Sequence, residues 1–297
     1  DLYLVKMRGW PGPADGEYQW GAALWPQILD TAALGPGYDH SAVPGRTPLV
    51  RNRDEGRFYR FGWERLLSGD PARRPWLVHL ETWNELHEGT ELCETAEYGR
   101  QYIELTRRYA DEFHARRRIK PAYLPMVSAT PEKSEGVHVV SQPDGDGPIL
   151  EKTVADKAAW STTETRHSAE SRYMYFDVDY YFLFDGDEPV EVTIGYFDDG
   201  PEEFRLDYDS GDPELEGIEQ RFREGHRQLI AGSKTWKEVT FTIPHARFAG
   251  RANGADFRLA CSGADLCVGH VRIRRPGGDY AGRIDGCTVI VAVSLKR

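Results

Sequence analysis

The spacing of apolar residues changes character near residue 120. Before it, short apolar runs alternate with stretches of helical period. "LYLVKM" (2–7) predicts a short strand, and "DTAALGPGYD" (30–39) a strand that gives way to a Gly-Pro-Gly turn. In "GRFYRFGWERLLSG", Phe58, Phe61, Trp63, Leu66 and Leu67 fall at roughly helical spacing ahead of Gly69. "RPWLVHLETWNE" (74–85) predicts a buried strand with a polar end. "TAEYGRQYIELTRRYADEF" (95–113) predicts a helix with Tyr98, Tyr102, Leu105, Tyr109 and Phe113 on one face. Thr95 is placed to cap it, and Arg107 and Arg108 sit toward the end that favours cations. Strand–helix alternation implies a parallel sheet flanked by helices.

From residue 136 the period becomes two. Val190, Val192, Ile194 and Tyr196 alternate with Glu191, Thr193 and Gly195, and Val239, Phe241 and Ile243 with Glu238, Thr240 and Thr242. "YMYFDV" and "ADFRLA" alternate likewise, with turn signals such as "FDGDEP" and "FDDGPEE" between them. This predicts an antiparallel β-sandwich of the jelly-roll kind. "CTVIVAVSLKR" (287–297) reads as a further strand. Between the halves, "RRRIKPAYLPMVSATPEKSEG" holds three prolines and no sustained period. The expected organisation is therefore an α/β unit over 1–118, a linker over 119–135 and a sandwich over 136–297.

About three βα units are expected in the first half. A closed (β/α)8 barrel needs eight, over about 250 residues. Either the sheet is open, or the chain carries the C-terminal part of a barrel whose first five units are missing. Asp1 has no Met before it, which suggests a start inside a longer chain.

Composition narrows the partners. A net charge of -11 over 297 residues argues against nucleic acid and anionic membrane surfaces. No apolar run reaches about 18 residues, so no membrane insertion is expected. "DLYLVKMRGW" lacks the features of a signal peptide. Aromatic residues reach 12%, which suits both stacking on sugar rings and a large core. Of the four cysteines, Cys261 and Cys267 either close a local loop or remain free, and Cys93 and Cys287 have no evident partner. No spacing suits zinc, and no metal or cofactor is expected.

The candidate chemistry lies in "ETWNELHEGTE" (81–91), where the buried strand ends. Parallel folds keep their active sites at the carboxyl ends of strands. Glu85 and Glu88 are the catalytic candidates, because Gly89 lets the chain turn and return one carboxylate toward the other. A glycosidic bond needs such a pair, about 5–10 Å apart. Trp83 offers a stacking face, and Asn84, His87 and Glu91 offer polar contacts. Tyr38 and Asp39, at the end of an earlier strand, are candidates for the same cleft. Glu91, Glu94 and Glu97 also read as ordinary acidic residues before a helix. "HEGTE" lacks the second histidine of a helical zinc motif, and "GxSxG" is absent.

Trp63 and Trp236 read as core, and His79 as a satisfied core histidine. Asp144–Gly147 and Phe197–Gly200 read as acidic turns, whose oxygens also suit calcium.

The stretch "TWNELHEGTELCETAEYGRQYIELTRRYADEF" resembles the last βα unit of glycoside hydrolase family 99 and its WbsX-like relatives. "GPGYDHSAVPGR" and "RFYRFGWERLL" resemble their preceding segments, so the resemblance covers about residues 1–115. It rests on Asn84-Glu85-x-x-Glu88-Gly89-Thr90. Leu86 departs from the usual Trp, and Leu92-Cys93 stands where Ile-Glu is common. The second half resembles carbohydrate-binding modules appended to bacterial hydrolases. The resemblance implies retaining hydrolysis of α-linked, mannose-type oligosaccharide or polysaccharide. Glu85 would deprotonate the sugar 2-hydroxyl, and Glu88 would serve as acid and then base. It also implies a missing N-terminal barrel segment of the same chain, and a secreted, periplasmic or cell-surface location. The alternative is a non-catalytic glycan-binding or surface protein that uses the sandwich.

Overall fold

The computed structural model describes residues 3–46, 49–141, 145–165, 168 and 170–276. Cys287, the strand expected over 287–297 and Asp144 of the first acidic turn lie outside them. The chain is mostly β-sheet with few helices, and divides into two compact units between Ala122 and Tyr123.

In the first unit, Thr31–Leu34 is the centre of a three-stranded sheet between Gln27–Ile28 and Leu77–Leu80. It runs antiparallel to the former and parallel to the latter, with Thr31 opposite Leu77 and Leu34 opposite Leu80. The helix Arg57–Ser68 connects the parallel pair, and Gln101–His114 follows the second strand. Side chains alternate across a strand, so Ala32, Leu34, Val78 and Leu80 share the face that packs on the helices. That core contains Tyr59, Trp63, Leu66, Leu67, Tyr102 and Tyr109, with Trp63 stacked on Tyr109 at 5.9 Å. The opposite face carries Thr31, Ala33, Leu77, His79 and Glu81. Leu77–Leu80 is the last strand of this sheet, and beside it Trp76 and Leu77 are exposed.

Two elements differ from expectation. The helix begins at Gln101 rather than at Thr95, because Gly99 takes φ +53° and residues 95–99 close a turn on themselves. Thr95 Oγ1 accepts the Tyr98 N–H at 3.0 Å, capping that turn instead. "LYLVKM" supplies Val5–Met7, which pairs in parallel with Gly16–Tyr18 in a separate sheet. Gly9, Pro11, Gly12 and Pro13 follow it and leave no run in which a helix could form. Two βα units therefore stand among the described residues where about three were expected.

The second unit has two sheets. One orders its strands Val137–Val140, Ser171–Val178, Phe257–Ser262, Glu203–Tyr208 and Arg223–Leu229. The other orders Ile149–Val154, Lys157–Thr162, Cys267–Arg274, Glu188–Phe197 and Trp236–Ala246. Met126–Thr130 also pairs with Cys267–Arg274, and Lys133–Glu135 pairs with Met126–Thr130. Met174, Phe176, Phe204, Leu206, Phe257 and Leu259 of the first sheet share one core with Val190, Val192, Ile194, Phe241, Ile243 and Val271 of the second. This is a β-sandwich whose inner residues are the period-two positions.

The stretch expected as a linker over 119–135 thus contains two strands. Val127 and Ala129 are buried between exposed or half-buried neighbours, but five residues of alternation between Pro125 and Pro131 are too few to stand out. Cys93, Cys261 and Cys267 are free thiols. Asp198 of the "FDDG" turn is buried, and accepts hydrogen bonds from the Ala231 and Ser233 N–H groups and Lys237 Nζ. It anchors the 231–237 segment rather than a solvated turn.

Candidate functional site

The loop that leaves Leu77–Leu80 closes on itself. Thr82 N donates to Thr90 O at 2.8 Å, Leu92 N to Thr82 O at 3.0 Å and Cys93 N to Trp83 O at 2.9 Å. The Thr82 and Thr90 hydroxyls meet at 2.9 Å, and Thr82 Oγ1 accepts the Glu85 N–H at 3.1 Å. Residues 83–89 therefore project as a pinned excursion, which is where the sequence concentrates its chemistry. Gly89 makes the return possible: its φ is +56°, and a Cβ there would lie 3.2 Å from Asp39 O.

Glu88 and its neighbours form the most connected part of the site. Its main-chain oxygen accepts the Asp39 N–H at 2.8 Å, and its carboxylate accepts Arg46 Nη1 at 3.0 Å. The Tyr38 hydroxyl meets His40 Nδ1 at 2.9 Å. Burial, and then the Glu88 carboxylate, raise the Tyr38 phenol above its ordinary pKa. The Asp39 carboxylate accepts the Ser41 N–H at 2.8 Å, and its hydrogen bonds to Ser41 lower its pKa.

Glu85 is half-exposed on the same loop. Its Oε1 accepts the His87 N–H at 3.1 Å and lies 3.6 Å from His87 Nδ1. Trp83 is 64% exposed, and Asn84 and His87 are exposed beside it. The structure therefore gathers Trp83, Asn84, Glu85, His87 and Glu88 on one excursion, with Tyr38 and Asp39 against its Glu88 end.

Glu91 points inward. It is buried, with Oε1 2.9 Å from Arg53 Nη2. Arg53 also donates to the main-chain oxygens of Gly89 and Glu91, at 2.9 and 3.0 Å. Its guanidinium lies over the rings of Tyr98 and Tyr102, 4.3 and 4.7 Å from their centroids. Arg53 thereby clamps the base of the loop, a role nothing in the local sequence around it announces.

Glu81 is the second residue that sequence reasoning passed over. It is 2% exposed, and its carboxylate accepts the N–H groups of Gly21 and Ala22 at 2.9 and 2.7 Å. Desolvation raises its pKa against those bonds. Its sign in the sequence was position, since it shares the face of His79 at the strand's carboxyl end. His79 is half-buried and its pKa is lowered by burial; among the described residues its Nδ1 has no hydrogen-bond partner and lies 3.7 Å from Glu81 Oε1, so it is not the satisfied core histidine expected.

Two carboxylates on a pinned loop, one held by a guanidinium, suit proton transfer at a polar substrate. Among the described residues, no group of three or more His, Cys, Asp and Glu is arranged to hold a metal ion. No helix among them is long and apolar enough to cross a membrane.

A family model described as a domain of unknown function (DUF5010) matches residues 14–122. The glycoprotein endo-α-1,2-mannosidase of Mus musculus is 33% identical over 105 residues, covering 30% of this chain and 22% of that protein. The chain is thus distantly related to a glycoside hydrolase over about a third of its length, and spans about a fifth of that relative. Two solved structures align with about half of the chain. The C-terminal CBM6 of a laminarinase from Zobellia galactanivorans is 9% identical with a TM-score of 0.29, covering 50% of this chain and 99% of that one. A family 35 carbohydrate-binding module from Clostridium thermocellum is 10% identical with a TM-score of 0.30, covering 51% and 99%.

Proposed function

We propose that the first unit is the C-terminal part of a (β/α)8 glycoside hydrolase barrel of the family 99 and WbsX-like kind. Its substrate is an α-linked, mannose-type glycan, cleaved with retention of configuration. Glu85 takes the proton of the sugar 2-hydroxyl, whose oxygen displaces the leaving group at C1. Glu88 gives its proton to the departing oxygen, and then takes one from the water that opens the 1,2-anhydro ring at C1, while Glu85 returns its proton to the freed 2-oxygen. Trp83, Asn84 and His87 line the sugar's path, and Arg46 holds Glu88. Further βα units of the same polypeptide complete the barrel, and the second unit is an accessory module.

One observation carries this reading. Glu85 and Glu88 share a pinned loop at the carboxyl end of a strand that is parallel to its neighbour. Among the described residues Leu77–Leu80 pairs on one side only, with Thr31–Leu34, and the open edge supports the existence of a further strand beside it. The test is hydrolysis of an α-1,2-linked manno-oligosaccharide by the native polypeptide, followed by proton NMR of the first-formed product. Release of the α-anomer supports the reading. Release of the β-anomer excludes the retaining mechanism, and no hydrolysis by the intact native protein excludes this substrate.

A further inference from the structure

The outer face of the larger sheet in the second unit carries a second candidate site. Trp236 is not in the core but half-buried on that face, at the start of Trp236–Ala246. Its benzo edge rests on Gly269, where a Cβ would lie 2.9 Å from Cζ3. Next to Gly269 on the same strand, the His270 imidazole rests on Gly195 of the neighbouring Glu188–Phe197, where a Cβ would lie 2.1 Å from Cε1. Neither glycine has a left-handed φ, so backbone conformation does not require them. The space beneath two rings does.

The indole is fixed in place. Its Nε1 donates to Val154 O at 3.2 Å, and Phe197 meets it edge-on at 5.5 Å between centroids. The Lys157 ammonium lies over the ring at 5.7 Å, and His270 Nε2 lies 3.2 Å from Glu238 Oε1. Trp236, Lys157, Glu238 and His270 line a cavity of about 530 Å³ together with Glu132 and Asp156.

The lining decides the class of ligand. A purely apolar ligand would cut the amine, imidazole and carboxylates off from water. A strongly charged one would meet both signs at once, since Lys157 and Lys237 line the cavity along with Glu132, Asp156 and Glu238. A sugar ring presents C–H groups to an indole face and hydroxyls that both donate and accept. We propose that this cavity binds a neutral pyranose unit of a glycan chain, with Trp236 as its platform and Lys157, Glu238 and His270 as its hydroxyl partners. The proposal does not rest on the roles of Glu85 and Glu88.

Affinity electrophoresis of the full chain, in gels holding soluble α-mannan, xylan, glucomannan or mixed-linkage β-glucan, tests it. At least one of the four retards the protein. Trp236→Ala weakens that binding at least fivefold and Trp236→Tyr less, whereas the E85Q/E88Q double variant binds within twofold of the parent. If Trp236→Ala fails to fold, the exposed Lys157→Ala/Glu238→Ala pair carries the test, with a loss of at least threefold. No retardation by any of the four, binding unchanged in the folded cavity variants, or binding lost in E85Q/E88Q overturns the proposal.

Discussion

Arg53 holds Glu91 at 2.9 Å in a buried ion pair, and the same guanidinium ties down the Gly89 and Glu91 carbonyls. A charged residue of one loop thus fixes the return arm of another. Removing one partner strands the other charge away from water, at a cost of about 3–5 kcal/mol. Arg53→Ala is therefore expected to lower unfolding free energy by that amount in urea, with the m-value unchanged. A loss near zero would mean that the loop closes without this clamp.

Gly89→Ala tests the turn itself. A Cβ in the left-handed region costs about 1–2 kcal/mol, and here it also approaches the Asp39 carbonyl. The variant should unfold at lower denaturant. If Glu88 is placed by this turn, turnover should fall by more than the stability loss alone explains.

Trp63→Ala probes the helix–sheet core. Trp63 is fully buried and stacked on Tyr109, so its truncation should cost about 3–5 kcal/mol. A conservative Trp63→Phe should recover most of it, as read by thermal unfolding.

The helices and the period-two strands were legible because each buries one face. Tyr102 and Tyr109, or Val192 and Ile194, repeat at the spacing their element demands. Arg223–Leu229 was not, because "REGHRQL" is an edge strand of mostly polar residues held by pairing with Glu203–Tyr208. Glu85 and Glu88 stood out by residue type at a strand end. Arg53 did not, since its partner lies 38 residues away and only the tertiary fold brings them together. The place of Trp236 at a strand start predicts it in the core. The glycine that makes room for it on the outer face lies on another strand.

Asp198 links stability to pH. Lys237, Ser233 and the backbone N–H groups hold its carboxyl well below the ordinary value of 3.8. A depressed folded-state pKa contributes stability that is complete above the unfolded value and is lost as pH falls through the folded one. Asp198→Asn should therefore lower Tm by a constant amount from pH 5 to pH 7. The gap should close only below about pH 4. A gap that closes nearer neutrality would assign it to another group.

The roles proposed for the two glutamates separate most directly on a substrate that needs no acid. An α-mannosyl fluoride loses its leaving group without protonation, and kcat/KM reports only the first irreversible step. On an ordinary α-1,2-linked glycan, E85Q and E88Q should each lower kcat/KM by about 10²–10⁴-fold. On the fluoride, E88Q should remain within about tenfold of the parent, while E85Q keeps its full loss. Equal losses for both variants on both substrates, or no loss on either, would contradict the assignment of Glu85 as base and Glu88 as acid.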